Sequence, residues 1–593
     1  MEQPMRRKIM QFAAILLICL IITPAGASAA GSSGTEMVRV GLFFGNTALV
    51  GSNLQNNTGY GAGYRFGYYD SDLDFVEVAR TGEKNTEITV LKAQNVWFYY
   101  DRSSAAYVYE TTDNGGTVIG CYHIRLPGDY NDFQKAQEAA ENAGGFVAWI
   151  DGAYQVRFGA YTTKEQAQAA LDTLGEGTVV GTSAYAVTVI TTGTSKILYQ
   201  HDGGASRPLG VMPDVTGADQ VRTWCKGYKY NGGFRYERIG GGNLTVVNIL
   251  DLETYIKGVI PYEMNNAWPV EALKAQAVCA RSYAKVNIGE SKHRAYNIDV
   301  CATACCQAYH GVGTNSSTYQ ANATTDRAVE ETAGMYALYE GQPIPAYYSS
   351  SHGGASESIY NVWGVSLSKY PYLCGVTDPY EKDVSSINAN SSWTVKYTAA
   401  ELTARLQAKG FGTGTSVDSL ELVYSDLGNV IRVVVHWKNG NSNTIKASGG
   451  TNGIRTVFNL KSIHFTVNNT AASAGGSTGS GLVVNKTEKL SDLKGLYVIS
   501  GSGKVSALDS AYAISGSGKV AAVEDSRNDT AQDQTVNGGT AVVSGKSYTF
   551  AGAGWGHQLG MSQYGAYAMA QRGFTYDEIV EFYYPGVSVR NKY

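Results

Sequence analysis

Three groups of residues have the types and spacing to do chemistry. The first is a single carboxylate, Glu263, in YIKGVIPYEMNNAWPVEALKAQAVCARSYAKVNI (residues 255–288). Tyr262, Met264 and Trp268 flank it. Desolvation among such side chains raises a carboxyl's pKa and equips it as a general acid; a solvated turn glutamate is the alternative. The second is HRAYNIDVCATACC (293–306), in which His293, Cys301, Cys305 and Cys306 offer imidazole and thiolate ligands at a spacing that suits tetrahedral zinc. His310 is a rival fourth ligand, and a disulfide or free thiols are the other readings. The third combines SSSHGG (349–354) with GWGHQLGMSQYGA (554–566), which supply hydroxyls, imidazoles and an indole beside glycines. A Ser–His nucleophile there lacks a third, orienting group. His557 reads equally well as a structural histidine.

The elements that must position these groups follow from periodicity. Tyr255–Pro261 reads as a strand-like apolar run, which leaves Glu263 in a turn. Pro269 suits a first helical turn. Leu273, Ala277, Ala280, Ala284 and Ile288 then recur at steps of three and four, giving a helix with one small-residue face. Asp251, Glu253 and Glu271 are acidic competitors of Glu263. Glu271 reads as a helix-dipole partner, and the other two as solvated residues at a strand end.

Upstream, residues 121–194 read as βαββαβ: a strand at 122–128, a helix at 132–142, a hairpin about Asp151-Gly152, a helix at 163–174 and a last strand at 185–190. Strand-like sequence on both sides of this module reads as one unit into which it is inserted. Downstream, AASAGGSTGSG has a flexible-linker composition, and YVISGSGKV (497–505) returns as YAISGSGKV (512–520). The repeated GSGK lacks the spacing of a phosphate loop and reads as a hairpin turn.

Several function classes are excluded or weakened by composition. With 47 Lys and Arg against 51 Asp and Glu, the chain has no global basic field for nucleic acid. Its 70 glycines, 42 tyrosines and 12 prolines suit a turn-rich, strand-rich fold. Arg6, Arg7 and Lys8, the apolar run Phe12–Ile22 and Ala27-Ser28-Ala29 read as an export signal cleaved after Ala29. The expected mature protein is secreted and extracytoplasmic, and touches a membrane only if that segment is retained. Seven scattered cysteines would remain, an odd number that does not suggest a disulfide framework.

Two resemblances complete the reading. YQVRFGAYTTKEQAQAAL, within 121–194, resembles the sporulation-related repeat (SPOR) domain, which implies binding to glycan strands stripped of peptide. EMNNAWPVEALKAQAVCARSYA, SSSHGGASESIYNVWG, YPYLCGVTDPYE and GAGWGHQLGMSQYGAYAMAQRGFTYDEIVEFYYPGV, in that order, resemble the SpoIID/LytB family of stage II sporulation protein D. That implies a peptidoglycan lytic transglycosylase with Glu263 as its acid and base. It also implies a substrate cleft lined by Lys274, Gln276, Arg281, Tyr283, Ser350, Ser351, His352, Trp555, His557, Gln563 and Tyr564. Some members hold zinc with Cys and His ahead of a C-Q-x-Y motif, here Cys306-Gln307-Ala308-Tyr309. In this chain the adjacent pair is Cys305-Cys306 rather than His-Cys, and His293 lies two residues further upstream. Such a zinc would be structural and not required for the chemistry. Other LytB-like relatives imply a non-catalytic activator of a cell-wall amidase.

The expected organisation is therefore α+β and multidomain. It comprises a signal peptide (1–29), a strand-rich part of the SpoIID-like unit (37–120), a SPOR-like module (121–194), the catalytic core (195–467), a linker with short β repeats (468–548) and a C-terminal part of the core (549–593).

Overall fold

The computed structural model describes residues 36–591, with breaks at 57–62, 83–84, 216–220, 315–319 and 413, and only six short strands of 471–537. The expected export signal, the glycine/serine linker and the GSGK turns lie outside the described residues. Among the described residues, no helix is long and apolar enough to cross a membrane.

Thr245–Asp251 is buried along nearly its whole length, as its apolar run demands. It is a central strand of a seven-stranded sheet, between Met37–Phe43 and Gly233–Glu237. That sheet takes strands from both sides of residues 121–194. Its outermost member on one side, Val300–Cys301, runs parallel to Met37–Phe43 with Gly41 opposite Cys301. A bidentate ion pair from Arg39 to the buried Asp299 fixes this edge.

Where a strand-like run was expected at Tyr255–Pro261, the chain forms a helix, Leu252–Glu263. The physical reason lies one turn upstream. Asp251 accepts a hydrogen bond from the Thr254 N–H at 2.9 Å and caps the helix. Leu252, Tyr255, Ile256, Val259 and Ile260 then fall on one helical face, all buried. Tyrosine and β-branched residues suggested a strand, but the burial period is helical. Pro261, inside the last turn, offers no N–H to it, and the Met264 N–H closes the helix on the Ile260 carbonyl. Glu263 is thus the last helical residue rather than part of a turn.

The second helix, Val270–Asn287, begins just after Pro269, which sits at its cap. Where one small-residue face was expected, it buries twelve of the thirteen residues from Ala272 to Ala284, all but Lys274, and so is enclosed on every side. Alanines at 272, 275, 277, 280 and 284 let the helices Leu252–Glu263, Ala323–Glu330, Gln563–Gln571 and Tyr576–Tyr583 approach it closely. Glu253, expected to be solvated, instead meets the fully buried Arg281 with bonds of 2.8 and 2.7 Å.

The segment Tyr122–Val180 has the order strand, helix, strand, strand, helix, strand. Its last strand is Thr178–Val180. The strand expected to close it, observed as Val187–Thr191, instead pairs with Glu87–Lys92 and Ile197–Asp202. Phe146–Ile150 runs parallel to Ile197–Asp202, so the segment continues into one ten-stranded sheet. A small core of Ala136, Ala140, Val147 and Val156 is its own, while Trp149 joins the main core.

Downstream, both repeats form hairpins, Tyr497–Ile499 with Val505–Ala507 and Tyr512–Ile514 with Val520–Ala522. Gly539–Ser544, expected within the insertion, is instead integrated beside Val417–Tyr424. The α+β class stands.

Glu253→Ala would leave the Arg281 guanidinium buried without its carboxylate. The expected loss is about 3 kcal/mol of stability, read by denaturant unfolding at neutral pH.

Candidate active site and metal cluster

Glu263 emerges from its helix into a pocket built by three distant segments. The Ala308 N–H donates to one carboxylate oxygen at 2.8 Å, and the Tyr348 hydroxyl and the Gln563 amide complete the set. Burial raises the carboxyl's pKa above its ordinary value of 4.5, and these three hydrogen bonds pull the other way. No neighbouring carboxylate contributes to the shift.

Each partner is itself held. Tyr348 accepts from Gln307 Nε2 at 3.2 Å, while Gln307 takes the Tyr255 hydroxyl at 2.9 Å and reaches the Ala280 carbonyl. One glutamine therefore ties both helices to the tyrosine beside Glu263. Ala308 is positioned by its neighbour Tyr309, which is buried and donates to Asn248 at 2.6 Å. At Gly258 a Cβ would lie 2.5 Å from the Tyr309 ring and 2.9 Å from the Gly311 carbonyl. Glycine there lets the helix press against the loop that donates to Glu263.

The residues expected to line a cleft divide into several settings. Gln563 joins Glu263, and Gln276 joins Gln563 at 3.3 Å with its own Nε2 buried and unbonded. Tyr564 hydrogen-bonds through its N–H to the Ser350 carbonyl, and its ring packs against Trp268. Trp555 is half exposed beneath the Lys461 ammonium. Lys274 is tied to Glu271 and Glu331, and Arg281 to Glu253. Those two cations brace the second helix rather than face Glu263. Tyr283 lies beside Cys306 and packs edge-on against Tyr347.

Ser351 and His352 are fully buried. Their partner is Glu381, which accepts from Ser351, Ser562, Asn388 and the His352 and Gly353 N–H groups. Burial raises the pKa of Glu381 and, beside it, of Asp378. The serine nearest the imidazole is Ser349, at 3.1 Å from His352 Nε2, and His352 Nδ1 has no partner. Burial pushes this histidine down to about 3. The group is a buried polar latch joining SSSHGG, YPYLCGVTDPYE and the C-terminal block, with no orienting acid on the imidazole. His557 is likewise pushed down to about 4 by burial.

His293, Cys301, Cys305 and Cys306 come together, with their ligand atoms all within 4.8 Å of one another. All seven described cysteines are free thiols. Cys301 and Cys306 share a hydrogen bond that lowers the first thiol and raises the second. The Phe44 ring packs against His293, and Lys292 holds the Cys305 carbonyl. His310 lies elsewhere, stacked on Tyr228 at 4.3 Å with Tyr262 at its edge. It is not the fourth member.

Tyr348, Gln307, Ala308, Asp378 and Glu381 were not among the expected site residues. Gln307 and Ala308 stand in the C-Q-x-Y motif, and Asp378 and Glu381 in YPYLCGVTDPYE, so the signals were present. Tyr348 precedes the serine run directly.

A half-buried acid at a helix end and a Cys/His cluster thus lie within one stretch of the chain, residues 263–306, and that stretch has known relatives. Residues 240–339 match the SpoIID family model, described as "Stage II sporulation protein". The amidase enhancer of Bacillus subtilis (strain 168) is 29% identical over 337 residues, 56% of this chain and 40% of that protein. Stage II sporulation protein D of the same organism is 28% identical over 356 residues, 58% of this chain and 76% of its own length. An uncharacterized protein of Brachyspira hyodysenteriae (strain ATCC 49526 / WA1) is 41% identical over 133 residues, a third of its length. The chain thus spans 40% of the amidase enhancer and 33% of the Brachyspira protein. Residues 240–339 are thus a SpoIID domain, and the similarity to stage II sporulation protein D and to the amidase enhancer extends beyond it on this chain.

Carbon-13 NMR titration of Glu263 is expected to give a midpoint above 4.5. Tyr348→Phe removes a bond that favours the carboxylate, so the midpoint should move further up, never down.

Proposed function

We propose that this protein is a peptidoglycan lytic transglycosylase acting between muramic acid and glucosamine residues, with Glu263 as its single acid and base. The observation that carries this reading is a lone carboxyl kept toward its protonated form by burial, while a backbone N–H, a hydroxyl and an amide hold it in one orientation. Hydrolysis by most glycosidases uses two carboxylates across the bond. In an intramolecular transfer the muramic C6 hydroxyl replaces the attacking water. Protonated Glu263 gives its proton to the glycosidic oxygen as the C1–O bond breaks. The resulting carboxylate takes the C6 hydroxyl proton as O6 closes on C1, which regenerates the acid and leaves a 1,6-anhydro end.

In the same reading Tyr122–Val180 is a SPOR-like module that holds peptide-stripped strands, and the chain is exported and works at the wall. His293, Cys301, Cys305 and Cys306 would hold zinc. Tetrahedral Zn–S and Zn–N bonds give ligand–ligand edges of about 3.6–3.8 Å. Cys305 Sγ lies 3.8 Å from His293 Nε2, and all four ligand atoms lie within 4.8 Å of one another, so a small contraction would close the set on an ion. Three thiols and an imidazole leave no open position, so the ion's contribution would be structural, bracing the loop that carries Gln307 and Ala308.

The name of the amidase enhancer relative favours a second reading. In it the chain grips glycan and raises the activity of a cell-wall amidase without cutting.

Mass spectrometry of peptide-stripped glycan treated with the purified protein should show anhydro-muramic ends, and Glu263→Gln should abolish them. Ends that persist in that variant sink the transglycosylase reading. Amidase stimulation that survives the same substitution supports the second. Metal analysis should find one zinc per chain, lost in Cys301→Ser, and a chelator should lower the unfolding temperature.

A further inference from the structure

Two cavities of about 330 and 570 Å³ meet at Ser448 along the short helix Ile359–Trp363. The first is lined by Arg432 and Lys446 with Tyr360 and Asn361; the second by Arg455, Trp363 and His557. No aspartate or glutamate lines either, among the described residues.

Four arginines, Arg65, Arg235, Arg432 and Arg455, have an Nε closed off from solvent without a hydrogen bond. Of these, Arg65 and Arg235 have a carboxylate partner, Glu77 and Glu237, while Arg432 and Arg455, both half-buried, have none among the described residues. Arg281 has Glu253, and Arg238 has the Gly241, Gly242 and Ala186 carbonyls. Burial lowers the Arg455 pKa with no carboxylate to oppose it. A half-buried guanidinium whose Nε is sealed from solvent, with neither a hydrogen bond nor a counter-charge, is costly to keep, and a native structure that keeps one needs a reason. An anion arriving from outside supplies it.

Trp363 adds a second kind of recognition. It is 40% exposed although Tyr347 packs against it edge-on at 4.7 Å and His557 lies 5.4 Å away. An indole fixed by its neighbours, yet open to solvent, is a platform for the C–H face of a sugar ring. The cavity also lies next to Glu263 through one residue. The Tyr348 side chain bonds Glu263, while its backbone bonds His557.

We propose that this groove is a binding site for an acidic saccharide, with a sugar ring on Trp363 and its carboxylate or phosphate on Arg455 and Arg432. Glu263 takes no part in it, so the site stands whether or not that residue cuts glycan. A carboxylate borne on a muramic residue and a phosphate borne on a wall polymer present the same chemistry to a guanidinium.

Ligand-observed NMR on the full chain tests this with three probes: N-acetylmuramic acid, N-acetylglucosamine 6-phosphate and uncharged N-acetylglucosamine. At least one acid should bind about tenfold more tightly than the uncharged sugar, and Arg455→Gln and Trp363→Ala should each weaken it by about tenfold. Lys446→Gln, at an exposed side chain where folding is not at stake, should weaken it by about twofold. Glu263→Gln should leave it unchanged. The tighter acid identifies the source of the anion. Equal binding of all three sugars overturns the proposal. So does a failure of both acids to bind, or acid binding that is lost with Glu263 but kept without Trp363.

Discussion

The structure turns on the cost of desolvating one half-buried carboxyl. Glu263 loses solvation at a helix end, and only three hydrogen bonds, drawn from residues far apart in the chain, offset the loss. A buried polar group without partners costs on the order of 1–3 kcal/mol, so those partners must arrive in place and stay there. Gln307 bridges Tyr255 to Tyr348, Tyr309 is anchored on Asn248, and the Glu381 latch fixes the serine run to Ser562, next to Gln563. Without these ties the acid would either ionise in solvent or lose its direction.

The Cys/His cluster belongs to the same constraint. It follows the far end of the second helix, with Cys301 on a sheet-edge strand, and its Cys306 directly precedes Gln307 and Ala308. Tyr283 and Tyr347 continue the contact from Cys306 toward Trp363. Cross-linking at this cluster would act on the acid through the loop, at no point touching it.

Much of this was legible in the residues, for identifiable reasons. Glycine-rich blocks and closely spaced cysteines announce themselves because few other roles require such runs, and alanine recurring at steps of three and four requires a packed helix. The first helix was not legible because tyrosine, valine and isoleucine carry strand propensity. The evidence for helix was a capping bond and a burial period that only tertiary packing made decisive. Arg281 and Lys274 looked like substrate ligands because a charge on a motif helix invites that reading. Their carboxylate partners, 28 and 57 residues away for Arg281–Glu253 and Lys274–Glu331, come from other elements. Tyr348 was missed because a tyrosine before a serine run has no spacing rule of its own.

The ten-stranded sheet has a mechanical meaning. Because Phe146–Ile150 pairs directly with Ile197–Asp202, the βαββαβ segment is joined to the core by a ladder of backbone hydrogen bonds and a shared tryptophan, not by a swivel. A polymer bound to that segment would therefore meet the acid at one fixed offset, as a rule is read against a mark. Advancing along the polymer would require letting go and rebinding, because the protein itself has no joint there with which to reach.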